Sequence, residues 1–211
     1  MKTFLFQGDS ITDANRDDEN EDNFGLGCGY ALLLASDFLK NRKDEFRFIN
    51  RGKSGDRITD VYARIKEDII NIRPDYMSIL IGVNDVSHEL TQDCGVTPEK
   101  FEKIYCMLVE EIKEVLPDIK IFILEPFICR GIHTEERWEE FSGEVRKMAV
   151  ASKSVAEEYG LEFIPLQHIF DEVTADSNAR YWSVDGIHPS AAGHQIIKEE
   201  LSKAIIKTID A

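Results

Sequence analysis

Five times along this chain a short apolar run gives way to a longer amphipathic stretch. The runs FLF, FRFI, MSILI, IFIL and EFI predict strands over Thr3–Gln7, Phe46–Asn50, Tyr76–Gly82, Ile119–Glu125 and Leu161–Pro165. Their near-continuous apolar character suits strands covered on both faces, as in a parallel sheet. Between them, Ile58, Val61, Ile65 and Ile69 recur at helical spacing, as do Phe101, Ile104, Leu108, Ile112 and Val115. Further helices are predicted over Tyr30–Leu39, Arg137–Tyr159 and Ala191–Ile209, and Pro117 and Gly160 sit where helices end. The repeated alternation predicts a doubly wound α/β sandwich. No internal repeat, low-complexity tract or shift in composition divides the 211 residues, so one domain over 1–211 is expected. The segments Thr12–Gly27, Ser87–Thr97 and Phe127–Glu136 carry no clear pattern, and each follows a predicted strand.

Charge narrows the partners. The formal net charge is −15. A surface that acidic repels phosphate backbones and anionic lipid, which argues against nucleic acid and membrane surfaces and for a neutral or cationic ligand. No stretch approaches the ~20 apolar residues of a membrane helix. The apolar start Phe4-Leu5-Phe6 turns polar at Gln7, too soon for a signal peptide, so a cytoplasmic location is expected. Cys28, Cys94, Cys106 and Cys129 are scattered without a Cys-x-x-Cys pair, which argues against a zinc or redox motif and for four free thiols.

Chemistry-bearing residues cluster at strand ends. Gly8-Asp9-Ser10, Ser54-Gly55-Asp56 and Gly82-Val83-Asn84-Asp85 each end or follow a predicted strand, and Asp185-Gly186-Ile187-His188-Pro189 precedes the last helix. In a parallel sheet the carboxyl ends of strands share one edge, so the first three pieces converge. A serine hydroxyl is a weak nucleophile and needs a base within reach, commonly a histidine oriented by a carboxylate. Ser10, His188 and Asp185 fit those roles. A developing oxyanion needs donors aimed at it. The N–H groups of Ser10 and Gly55 and the Asn84 amide are candidates, with Gly55 able to approach closely because it lacks a Cβ. Each piece alone reads as an ordinary turn or helix cap. It is the order and placement of all four that points to a site.

Together these motifs resemble those of the SGNH hydrolases, also called GDSL-type esterases, from Gly8 to His194. The family's four signature residues fall on Ser10, Gly55, Asn84 and His188, and its acid falls on Asp185; the only departure from the GDSL string is Ile11. The resemblance implies a three-layer α/β/α sandwich of flavodoxin-like kind around a five-stranded parallel sheet. It also implies a serine ester hydrolase with no cofactor and no metal. The strings GDSITD, NRGKSGDRITDVYARIKEDII, PDYMSILIGVNDV and HPSAAGH are similar to intracellular esterases that deacetylate xylan-derived oligosaccharides. That subgroup implies acetyl esters on sugars as substrates and often a homo-oligomer. Lysophospholipases and thioesterases share the same motifs, and a non-catalytic binding module on such a sheet is the alternative of another class.

Other patterns fail. Gly52-Lys53-Ser54 lacks the earlier glycine of a P-loop, since Arg47 stands there. Thr12 breaks the Gly-x-Ser-x-Gly elbow of α/β-hydrolases. His188 and His194, six apart, are not a helical metal pair. Three residues are candidate substrate contacts: Asp9, which also suits a turn-holding role; His88, expected in the loop after Asn84; and Trp182, an aromatic plane near the Asp185 loop.

Overall fold

The apolar runs become one sheet. In the computed structural model, which describes residues 1–20, 22–175 and 178–209, the strands are Lys2–Gly8 (β1), Phe46–Asn50 (β2), Tyr76–Leu80 (β3), Lys120–Leu124 (β4) and Glu162–Ile164 (β5). Their order is β2-β1-β3-β4-β5 and every neighbouring pair is parallel. The direction of winding therefore reverses between β1 and β3, the point at which open parallel sheets hold their ligands. Gly8 ends β1 there, opposite Leu80.

The helices are Ser10–Asp13 (α1), Tyr30–Asn41 (α2), Ile58–Ala63 (α3), Val83–Gln92 (α4), Pro98–Val115 (α5), Trp138–Tyr159 (α6), Gln167–Ala175 (α7), Ala179–Trp182 (α8) and Ala191–Ile209 (α9). They cover both faces, and the two faces differ in kind. Leu5, Ile49, Met77, Ile79, Ile121 and Ile123 project as an aliphatic strand surface into a layer filled by α3, α5 and α6, which add Phe101, Tyr105 and Phe141. Phe4, Phe6, Phe48 and Phe122 project the other way, against α2, α7 and α9. There Phe4 packs on Phe6 at 4.8 Å between centroids and on Phe122 at 6.2 Å. Each aromatic buried this fully contributes roughly 1.5–3 kcal/mol. The central strand β1 serves both layers because successive side chains alternate, with Phe4 and Phe6 on one side and Leu5 on the other. Among the described residues no helix is long and apolar enough to cross a membrane.

Four local expectations change. The stretch Ser87–Thr97 begins as helix, because α4 runs on to Gln92. Within Thr12–Gly27 lie the end of α1 and a 3-10 turn at Asp22–Phe24. The helix begun at Ile58 stops at Ala63 and continues as a π turn over Lys66–Ile70. Helices α7 and α8 stand where no pattern was read.

Candidate active site

Ser10 owes its position to Gly8 and Asp9. Gly8 has φ +152°, and a Cβ there would lie 2.3 Å from the Leu80 carbonyl oxygen and 2.4 Å from Thr12 Oγ1. Only glycine lets β1 pass that close to β3 and turn. Asp9 then caps α1, its carboxylate accepting from the Ile11 N–H at 3.0 Å. Ser10 is the first helical residue, so its own N–H has no intrahelical partner.

The acid and base come from one short loop. Asp185 Oδ1 accepts from the backbone N–H groups of Ile187 (2.9 Å) and His188 (2.8 Å), and Oδ2 lies 2.6 Å from His188 Nδ1. His188 Nε2 is 2.8 Å from Ser10 Oγ. Burial pushes the Asp185 carboxyl up, but the hydrogen bonds it accepts from His188 and Ile187 outweigh that and hold it well below the usual carboxylate range. An ionised carboxylate only accepts, so the His188 proton sits on Nδ1 and Nε2 is left to accept from the serine hydroxyl. The bond to Asp185 raises the pKa of His188 above its ordinary value, against an opposing effect of partial burial.

The segment after β4 holds this loop in place. Cys129, Ile132 and His133 donate backbone N–H groups to the carbonyls of Gly186, Val184 and Asp185 at 2.8, 3.1 and 2.9 Å. Sequence pattern gave no hint of this pairing, because backbone bonds between two irregular segments leave no periodic trace.

On the other side of Ser10, Lys53–Asp56 form a turn closed by the Asp56 N–H on the Lys53 carbonyl at 3.1 Å. The Lys53 N–H is tied in turn to the Gly8 carbonyl at 3.0 Å. Gly55 has φ +87° at the third turn position, where a type II turn requires a positive φ. A Cβ at Gly55 would meet nothing within 4 Å. Backbone conformation, rather than crowding within the free protein, is what requires glycine there. Asn84 lies in the first turn of α4 and gives one amide hydrogen to the Asp56 carbonyl at 3.1 Å, leaving the second without a partner among the described residues. Two further residues lock this side, and their roles depend on distant partners that sequence spacing does not reveal. Asp85 accepts from the Ile58 N–H at 3.2 Å. Asp13 accepts from the Ser54 N–H and hydroxyl at 3.0 and 2.6 Å.

The structure thus gathers Ser10, Gly55, Asn84, Asp185 and His188 at the carboxyl edge of the sheet. The three candidate contacts fall elsewhere or differently. Asp9 is corrected: it is 1% exposed, beneath Ser10, and burial pushes its carboxyl up to about 7. His88 lies on α4 rather than in a loop, half-buried and one turn beyond Asn84 on the same face. Trp182 ends α8, where its indole N–H donates to the Val173 carbonyl at 3.1 Å and its ring meets Tyr181 edge-on.

Known proteins carry the same architecture. Residues 6–196 match the model of the GDSL-like lipase/acylhydrolase family. An acetylxylan esterase of Geobacillus stearothermophilus is 33% identical over 213 residues, covering 97% of this chain and 92% of that protein. A crystal structure of that organism's acetylxylan esterase superposes with a TM-score of 0.85 at 30% identity, covering 96% of this chain and 93% of the other. A protein from Parabacteroides merdae, described as a GDSL-like lipase, gives 0.89 at 34% identity over 96% and 94% of the two chains. A strand-end serine reached by a histidine that an aspartate holds, on a sheet of this order, agrees with those matches: the chain belongs to the GDSL-like lipase/acylhydrolase family and is a carboxylic ester hydrolase.

Proposed function

We propose that the chain hydrolyses acetyl esters of sugars, in particular acetylated xylan-derived oligosaccharides, through an acyl-enzyme on Ser10. The observation that carries the mechanism is the continuous chain from Ser10 Oγ through His188 to Asp185, 2.8 and 2.6 Å long in its two links. Ser10 Oγ attacks the ester carbonyl carbon as its proton passes to His188 Nε2. The carbonyl electron pair moves onto oxygen, and the oxyanion is met by the N–H groups of Ser10 and Gly55 and by the free hydrogen of the Asn84 amide. Collapse breaks the bond to the sugar oxygen, which takes the proton from His188. Water then gives a proton to His188 and attacks acetyl-Ser10, acetate leaves, and Ser10 recovers its proton. Asp185 holds the tautomer throughout.

The relatives support the substrate class. The Geobacillus esterase is described as acting on acetyl-xylooligosaccharides, and its structures include catalytic mutants in which a serine or an aspartate is replaced by alanine. Acyl-chain selectivity tests the reading. Release of acetate from acetylated xylo-oligosaccharides, with kcat/KM falling from acetyl to octanoyl p-nitrophenyl esters, is expected. A preference for octanoyl esters contradicts the sugar-acetate reading and favours a lipid or thioester substrate.

A further inference from the structure

An acetyl group is two carbons long, so nearly all of a sugar ester lies outside the point of attack and must cover neighbouring surface. One cleft of about 650 Å³ opens near the site without reaching Ser10 itself, on the side of the Gly55 turn. It is bordered by Asp13, at the end of the helix that Ser10 starts, and by Ser54, next to the Gly55 turn. That volume is within the range of small-molecule sites. All ten residues lining it are polar or charged. An alkyl chain laid there would displace water from charged groups and gain little apolar contact in return, which is unfavourable.

Most of the lining is already bonded to itself. Arg64 binds Asp56 and Asp68, Arg16 binds Asp18 and the Gly52 carbonyl, and Asp13 binds Ser54. These bonds fix the walls. Lys53 and Glu67 differ: both are exposed, and neither side chain has a hydrogen-bond or ion-pair partner among the described residues. One offers only donors and the other only acceptors. Sugar hydroxyls donate and accept at once, so this pair matches them. Glu67 also belongs to the π turn Lys66–Ile70, a helix irregularity that recurs at functional sites.

We propose that this cleft is a subsite for the hydroxyl-rich sugar chain where it extends past the reacting ester, with Lys53 and Glu67 as its specificity-determining contacts. This rests on the sugar-acetate reading and extends it from the reacting bond to the rest of the substrate. The test compares kcat/KM for acetylated xylotriose with that for p-nitrophenyl acetate, whose alcohol part carries no sugar hydroxyls. In the double variant Lys53→Ala, Glu67→Ala the ratio of the two is expected to fall about tenfold, through KM for the trisaccharide. An unchanged ratio, with wild-type protein still deacetylating xylotriose, overturns the subsite alone. Wild-type protein that cleaves p-nitrophenyl acetate but releases no acetate from the trisaccharide overturns the sugar-acetate reading, and the subsite with it.

Discussion

The two sides of Ser10 are built in opposite ways. On the acid–base side, Asp185 and His188 are three residues apart and bond to each other directly, with the histidine ring half open to solvent. On the oxyanion side, Gly55 and Asn84 come from the ends of different strands. They are fixed by bonds that span the chain: Asn84 to Asp56, Asp85 to Ile58 and Asp13 to Ser54. Asp85 is fully buried and Asn84 nearly so. One side therefore works by charge on a short loop, and the other by backbone geometry held from within. Loss of charge should appear in the pH profile. Loss of geometry should lower the rate without moving it.

Among the variants that separate the two sides, the largest effect is expected at Asp185. Asp185→Ala should lower kcat by about 10⁴, the scale known for removing the acid of a serine triad. His188 must be neutral to accept the serine proton, so kcat/KM rises with pH as His188 deprotonates. Because Asp185 raises that pKa, the wild-type acidic limb should lie above the ordinary histidine value of about 6.5. In the variant it should move down in pH. A limb that stays put in Asp185→Ala would break the contrast from the charged side.

Smaller losses are expected on the other side. Asn84→Ala should lower kcat by about 100- to 1000-fold, the usual effect of one missing oxyanion donor, with the acidic limb unmoved. Asp85 acts a step further back. Asp85→Ala leaves the Ile58 N–H unpaired and should lower stability by about 1–3 kcal/mol, with a kcat loss smaller than that of Asn84→Ala. Burial pushes the Asp85 carboxyl up to about 8. The unfolded chain releases that proton near 3.9 while the folded chain keeps it, so Asp85 makes folding less favourable as pH rises between those values. Asp85→Asn keeps an acceptor and removes this dependence. In denaturant unfolding it should gain on wild type from pH 5 to pH 8. A stability difference that is flat with pH would place the charge elsewhere.

The same contrast governs how much could be read from the sequence. Asp185-Gly186-Ile187-His188 is legible because its chemistry is local. Strand positions are legible because burial on both faces leaves near-continuous apolar runs such as Met77–Ile81, broken only by Ser78. The parts not foreseen are those where the pattern is weak or the partners remote. Helix α4 escaped because Val83-Asn84-Asp85 imitates a turn and its later residues are polar. Helix α7 buries only Phe170, and the π turn after Ala63 breaks the helical period that Ile58 to Ile69 had suggested. Asp9 is legible as a turn-holding residue, whereas Asp85 looks like a turn residue in sequence and only its burial at 0% exposure makes it an internal clamp.

In the proposed mechanism both sides serve one event, attack by Ser10, and peptide mass spectrometry after treatment with a p-nitrophenyl alkylphosphonate tests it most directly. The account predicts one adduct per chain, on Ser10, absent in Ser10→Ala along with all ester hydrolysis above background. An adduct on another residue, or ester hydrolysis at the wild-type rate in Ser10→Ala, would contradict it.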